Sequence, residues 1–418
     1  MRNRSSMIVF GLALGMMSLA APLVADNWMR FRGPNGGGIA SEASIPDKFS
    51  TQNGILWKVK LAGPGNASPI IFDNSLFIHG TTADGKERQL TCFDAVNGKV
   101  RWTRSFPAAR GHTHQKNTQA SSTPVTDGKV VVNAFWNGKE VIIAAFDFEG
   151  KELWHHNLGG FKSQHGAGAS PIIYQDKVFL ANDQDGTSTL YAFDKASGAV
   201  IWKADRDAYR ACYSAPFILE KPGHAPELVV VSTTSIRGYN PDTGSPNWTW
   251  KWKFTGKMPL RTTGSPIVAH DMLYACSGDG GGDRHMVAIK LNGNGNTIEP
   301  RLAWENKKDF PYVPSLLNRG DHLYFINDKG VAGCFEARTG KSVWYVRQPD
   351  ASFCSSPLLI GKRMVAISED GDVYVFAAET KYRLLGKSSL GEAVRASPAV
   401  ANGRLYIRGH EHLYCIGK

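Results

Sequence analysis

A dipeptide of the form Ser-Pro, or a close variant of it, opens a short apolar run eight times along the chain. The positions are Ser68-Pro69, Thr123-Pro124, Ser170-Pro171, Ala215-Pro216, Ser265-Pro266, Ser315-Leu316, Ser356-Pro357 and Ser397-Pro398. Successive spacings are 55, 47, 45, 50, 50, 41 and 41 residues. A period of this length, built from short apolar runs, is the signature of a β-propeller, in which each repeat is one four-stranded blade that buries its faces only against its neighbours.

The order of signals inside each repeat is fixed as well. A second strand follows the Ser-Pro run, as in Ser75-Leu76-Phe77-Ile78 or Leu405-Tyr406-Ile407, and a third reads Thr91-Cys92-Phe93-Asp94 or Tyr191-Ala192-Phe193-Asp194. A Gly-containing turn then leads into a fourth strand ending in tryptophan, from Gly98 to Trp102, Gly150 to Trp154, Gly198 to Trp202, Gly244 to Trp248 and Gly340 to Trp344. Runs of this length bounded by Gly, Asn and Asp are strand and hairpin signals, and no helical period appears among them.

Blades crowd at the axis and splay at the rim, so small residues suit the inner strand and large aromatics the outer gap. Trp57, Trp102, Trp154, Trp202, Trp248, Trp304 and Trp344 therefore read as packing between blades. Blade seven lacks its tryptophan, with Leu385 at the matching offset from Phe376. The last repeat supplies three strands before Lys418, while an unmatched Trp-type strand within residues 54–60 precedes the first Ser-Pro. These halves should pair and close the ring. The expectation is an all-β, eight-bladed propeller of four-stranded antiparallel blades. Residues 26–418 form its single domain, with 26–53 as a lead-in, 54–60 as the outer strand of blade eight and 66–417 as the repeats.

Residues 1–25 read as a signal peptide: a basic start at Arg2 and Arg4, an apolar run from Met7 to Leu19, and small residues at Ala21 and Ala25. The mature chain is expected in the periplasm or outside the cell, soluble and without a transmembrane segment. Formal net charge is +11, or +9 once Arg2 and Arg4 leave with the signal. No Lys/Arg cluster or nucleic-acid motif accompanies it, so a nucleic-acid partner is not expected. Of six cysteines, Cys92, Cys334 and Cys415 share one small slot in the third strand and read as buried apolar residues. The sequence assigns no role to Cys212, Cys276 and Cys354.

The common phosphate-loop, nucleophile-elbow, zinc and haem motifs do not occur. The Gly-rich stretch Ser277 to Asp283 falls between the second and third strands of blade five and reads as a hairpin turn. Asp183-Gln184-Asp185-Gly186 begins like a calcium loop but places Ser188 where a glycine is required, so no metal site is expected.

The run Leu190 to Trp202, Leu-Tyr-Ala-Phe-Asp followed by Gly198 and Trp202, resembles the pyrroloquinoline-quinone (PQQ) repeat, and the resemblance spans the mature chain. It implies two groups: non-catalytic exported propellers of the BamB type, and quinoprotein alcohol dehydrogenases, which use PQQ with calcium. The dehydrogenases carry adjacent cysteines over the cofactor, and this chain has none. It also lacks a lipidated cysteine near the signal of the kind BamB-like proteins carry.

Connections from each outer strand to the next inner strand must run from rim to axis, so they gather at one mouth of the channel. They carry His114, Lys116, Asn117, His165, Arg210, Arg261 and Arg395, a mainly cationic set expected to bind a ligand. The sequence thus predicts a non-catalytic binding or scaffold propeller, without a cofactor, that engages a protein, glycan or anionic ligand at one mouth. The alternative is a PQQ-dependent dehydrogenase with an unconventional site. A polysaccharide-cleaving role for His114 and His165 has only their location in its favour.

Overall fold

Each repeat folds as one antiparallel meander ordered from axis to rim. Blade 1 consists of Ile70–Phe72, Ser75–Thr81, Glu87–Asp94 and Val100–Pro107, and seven further sheets repeat the arrangement to Ile416. The computed structural model describes residues 27–41, 45–50, 52–254, 259–293 and 297–418, and the expected signal segment 1–25 lies outside them. Among the described residues no helix is long and apolar enough to cross a membrane. The ring closes as expected: Ile55–Lys60 pairs antiparallel with His412–Ile416, placing Trp57 opposite Cys415. The Gly-rich stretch is indeed a hairpin turn, joining Met272–Gly278 to Arg284–Asn292.

The Ser-Pro motif has a physical reason beyond small size. The N–H of Ser68 donates to the hydroxyl of Thr123 (3.0 Å), and that of Thr123 to Ser170 (3.0 Å). Across the ring the same bond links Ala215 to Ser265, Ser265 to Ser315, Ser315 to Ser356 and Ser356 to Ser397, at 2.9 to 3.0 Å. A hydroxyl at this position therefore satisfies a buried donor of the preceding blade, and Ala215 interrupts the series. The following proline has no N–H to leave unpaired on an inner edge strand.

The tryptophans join the blades at the rim. Trp57, Trp102, Trp154, Trp202, Trp304 and Trp344 each donate the indole N–H to a carbonyl in the next blade's turn, at Ala95, Phe148, Lys195, Pro241, Ala337 and Glu379. Trp248 instead turns to Glu227 of its own blade. Opposite each indole stands the small slot of the third strand, as with Cys92 and Trp102, Ala192 and Trp202, or Cys334 and Trp344. Cys92, Cys334 and Cys415 are free and buried there. Beneath the indole lies the next turn's glycine: a Cβ on Gly198 or Gly244 would come within 2.5 Å of it, and both have φ above +70°.

Blade 7 departs from the offset argument. Its third-to-fourth turn is one residue longer, so Gly386 rather than Leu385 faces the third strand at the tryptophan position, opposite Val375. The lead-in occupies that volume. A Cβ on Gly386 would meet the carbonyl oxygen of Asp47 at 2.0 Å, and the N–H of Phe49 donates to Ser388 (2.8 Å).

The rest of the lead-in does what its sequence did not announce: it plugs the axis. Trp28 exchanges two backbone bonds with Ile71 of blade 1, and Met29 accepts from Thr126 of blade 2. Arg30 reaches the carbonyl of Pro216 in blade 4, and Ile39–Ala40 adds a parallel strand to Leu358–Ile360 of blade 7. Arg32, fully buried, gives its guanidinium to the carbonyls of Gly36 (3.0 Å), Gly37 (3.0 Å), Leu316 (2.6 Å) and Pro357 (3.2 Å). Arg32 and Asn35 adopt positive φ, 62° and 46°, at a cost of about 1–2 kcal/mol each. Asn35 offsets it by bonding both the N–H and the carbonyl of Ile218.

Two outcomes follow. Arg32→Met should leave four carbonyls without their donor and remove about 3 kcal/mol or more of stability, measured by denaturant unfolding, whereas Lys99→Ala on the exposed rim should change it by less than about 0.5 kcal/mol. His79 is buried beside Phe135, with Nδ1 on the carbonyl of Ser122 at 3.0 Å. Burial, with Arg408 and Arg88 nearby, depresses its pKa to about 3 despite that bond. The unfolded imidazole, at about 6.5, then binds a proton that the folded one refuses, so stability falls as pH drops below about 6.5. The slope of melting temperature between neutral and mildly acid pH should flatten in His79→Phe.

Candidate functional site

In an antiparallel meander alternate connections fall on the same face, so the rim-to-axis segments share one mouth with the hairpins joining second and third strands. There a cavity of about 470 Å³ opens, with Phe31 of the plug among its lining residues. Because the plug crosses the axis, the mouth is blind. His114, Lys116, Asn117, His165 and Arg395 line it, as the rim-to-axis geometry predicts, with Asn66, Tyr213 and Tyr312.

Arg210 and Arg261 do not. Arg261 is only 2% exposed: it donates Nε to the carbonyl of Ala211 (2.9 Å) and Nη1 to the ring of His165 (2.7 Å). Arg210 gives Nη1 to the carbonyl of Pro259 (3.2 Å). Proximity to a Ser-Pro places a residue near the mouth but does not set its direction, and both arginines turn back to hold neighbouring connections.

Several lining groups brace the mouth. Asn117 donates to the carbonyls of His165 (2.8 Å) and Ala167 (3.3 Å), tying two connections together. His114 and His165 stack with centroids 4.7 Å apart. Burial, then the charges of Arg261, His114 and Arg210, push the His165 pKa down to about 4, so its ring is neutral at physiological pH. Nδ1 of His114 accepts the N–H of Lys116 (3.2 Å).

The cationic mouth expected from sequence is diluted by acids from the hairpins. Lys116, Arg284, Lys329 and Arg395 share the lining with Asp279 and Asp328. Asp328 is engaged by the N–H groups of Tyr312 (2.7 Å) and Val313 (3.0 Å) and by Arg284 (3.4 Å), and Asp279 by Gly282 and Asp283. Glu369 bonds Lys116 at 2.6 Å. These hairpin residues were absent from the sequence-based set, although the alternation of connections in a meander would have placed them on the same face. Cys354, half-buried, donates to Glu369 (3.3 Å), and burial with that neighbouring charge pushes its thiol up to about 12. Asp183, at the start of the calcium-like stretch, is buried in an ion pair with Arg206 (2.6 Å).

Comparison with known proteins gives the same architecture. The outer membrane protein assembly factor BamB of Shewanella oneidensis is 24% identical over 348 residues, covering 77% of this chain and 79% of that protein. The crystal structure of BamB from Moraxella catarrhalis superposes with a TM-score of 0.64 at 17% identity, covering 86% of this chain and 96% of the other. A europium-containing methanol dehydrogenase superposes with a TM-score of 0.68 at 11% identity, covering 94% and 98%, a likeness of fold alone. A family model described as outer membrane protein assembly factor BamB matches residues 48–180, 138–384 and 317–410, overlapping segments that span nearly all the blades, and the chain belongs to that family.

Proposed function

We propose that this chain is an exported, non-catalytic binding propeller of outer-membrane protein assembly, and that it presents its blind mouth to a partner protein. Membership of the BamB family supports the assembly role. The observation that carries the binding role is the mouth itself, a blind cavity whose connections are braced by several of its own polar groups. Asn117, His165, Arg284 and Asp328 hold connections in place, and the Cys354 thiol is kept protonated. A cavity pre-formed in this way suits recognition, because only part of its lining has to rearrange on binding.

We further propose that the mouth works without PQQ and calcium. The carboxylates on the lining already accept donors, Asp279 two N–H groups at Oδ1 and Asp328 two N–H groups and Arg284, and Cys354 is the one cysteine on the lining. The residues present do not fit that group.

In the native bacterium, deletion of the gene should lower the folded fraction of outer-membrane β-barrel proteins, and the wild-type gene should restore it. Unchanged barrel content and folding after deletion would remove the assembly role. Purified mature protein given PQQ and calcium should show no dye-linked oxidation of alcohols or sugars. Turnover in that assay would place the dehydrogenase reading first.

A further inference from the structure

The connection between blades 1 and 2, residues 108–124, is the longest at the mouth, and its tip lies against the connections on either side: Asn66 Nδ2 donates to the carbonyl of Lys116 (2.9 Å) and the N–H of His114 to that of His165 (3.2 Å). Its base is fixed from below. Arg88, buried, donates to the carbonyls of Trp136 (2.7 Å), Gly85 (3.0 Å) and Ala109 (2.6 Å), and to the amide oxygen of Gln119 (3.0 Å). Gln119 in turn bonds both the N–H and the carbonyl of Gly111. From this base the segment reaches past blade 8 to blade 7, where Lys116 meets Glu369 at 2.6 Å.

Glu369 stands on the hairpin between Arg363–Ile367 and Asp372–Ala377, and its carboxylate gathers three groups of the mouth. Lys116 and the Cys354 thiol reach Oε1, and Arg395 Nε lies 3.6 Å from Oε2, beyond hydrogen-bond length. Arg395 also gives Nη1 to the carbonyl of Gln115 (3.3 Å), while its buried Nε has no hydrogen-bond partner. On the neighbouring hairpin of blade 6 the exposed ammonium of Lys329, also on the lining, has no ion-pair partner among the described residues. Burial opposes both charges of the principal pair. Even so, the hydrogen bonds from Lys116 and Cys354 hold the Glu369 carboxyl below its usual range, and Glu369 holds Lys116 above its own.

Two cations from separate connections thus converge on one carboxylate, which leaves one of them incompletely satisfied, and a third cation without an ion-pair partner stands on the adjacent blade. We propose that Lys116 and Arg395 form a carboxylate-binding subsite, that Glu369 occupies it in the free protein, and that an acidic segment of the partner exchanges with Glu369 and releases the 112–117 strap. This rests on the reading of the mouth as a protein-binding site and names the chemistry of the segment it takes. The base of the strap is locked by Arg88, and the side chain of Asn117 stays on the carbonyl of His165, so exchange at Glu369 loosens the tip by removing the Lys116 pair to blade 7 and freeing Arg395 from Gln115. The closed axis matters too, since a segment can dock into the mouth but cannot thread through it.

The experiment uses purified mature protein and hexaglutamate, with hexaglutamine as the uncharged control, by titration calorimetry at low and moderate salt. Glu369→Gln removes the internal competitor and should bind hexaglutamate about tenfold tighter than wild type, with the gain shrinking as salt rises. Adding Lys116→Gln and Arg395→Gln to that variant should cancel the gain. Hydrogen exchange gives a second readout: hexaglutamate should speed exchange of the amides of residues 112–117 in wild type, and hexaglutamine should not. Lys116→Met, which leaves Glu369 in place, should show fast strap exchange without ligand at an unchanged melting temperature, and covers the case in which the Gln variant does not fold. Equal affinity of Glu369→Gln and wild type, or a strap whose exchange ignores hexaglutamate, would overturn the proposal. A tenfold gain alongside a deletion strain with normal barrel assembly would uphold the subsite and remove only the assembly role.

Discussion

Everything in this molecule depends on the pairing of Ile55–Lys60 with His412–Ile416, because a ring of blades has no stable open form. Each blade is covered only by its neighbours, so a gap between the first and last would expose two sheet faces and leave blade eight without its outer strand. The chain solves this by lending a strand that precedes blade one to its last blade. The residues before this rim strand do a separate job: residues 27–40 cross to the axis and fill it.

The plug shows how a propeller satisfies a crowded axis with few hydrophobic groups. Inner strands present carbonyls to the channel, and burying them unpaired would cost more than the bonds themselves are worth. Arg32 meets two of them together with the plug's own turn, and Arg30 meets a third. Burial lowers the Arg32 pKa to about 9, so it remains charged at physiological pH with carbonyl dipoles in place of a counter-ion. Arg88 and Arg408 repeat the device beside the 108–124 connection and beneath Ala67.

At the mouth, electrostatics follows connectivity more than composition. An excess of basic residues over the whole chain says little about a cavity where hairpin acids and connection cations meet. Lys116, Arg284 and Arg395 are each held partly by an acid or a carbonyl, so recognition there is a matter of exchange between internal and external partners rather than of bulk attraction.

The sequence by itself determined the blade. The spacing of Ser-Pro, the small slot in the third strand and the tryptophan after a glycine turn are local signals, and each maps to one contact: hydroxyl to N–H, small residue to indole, glycine beneath indole. Closure was legible because the strand count failed to balance at the two ends. Tertiary structure decided the rest, for reasons that act across the ring. A turn one residue longer moved Gly386 into the place expected for Leu385, and only the fold brought Asp47 to fill it. Whether Arg261 faces the cavity or the back of His165, and whether Lys116 stands free or meets Glu369 on blade 7, depends on side-chain direction and on a contact 253 residues away in sequence. No local pattern encodes such a contact, because nothing in the repeat fixes which blade the tip of a connection will reach.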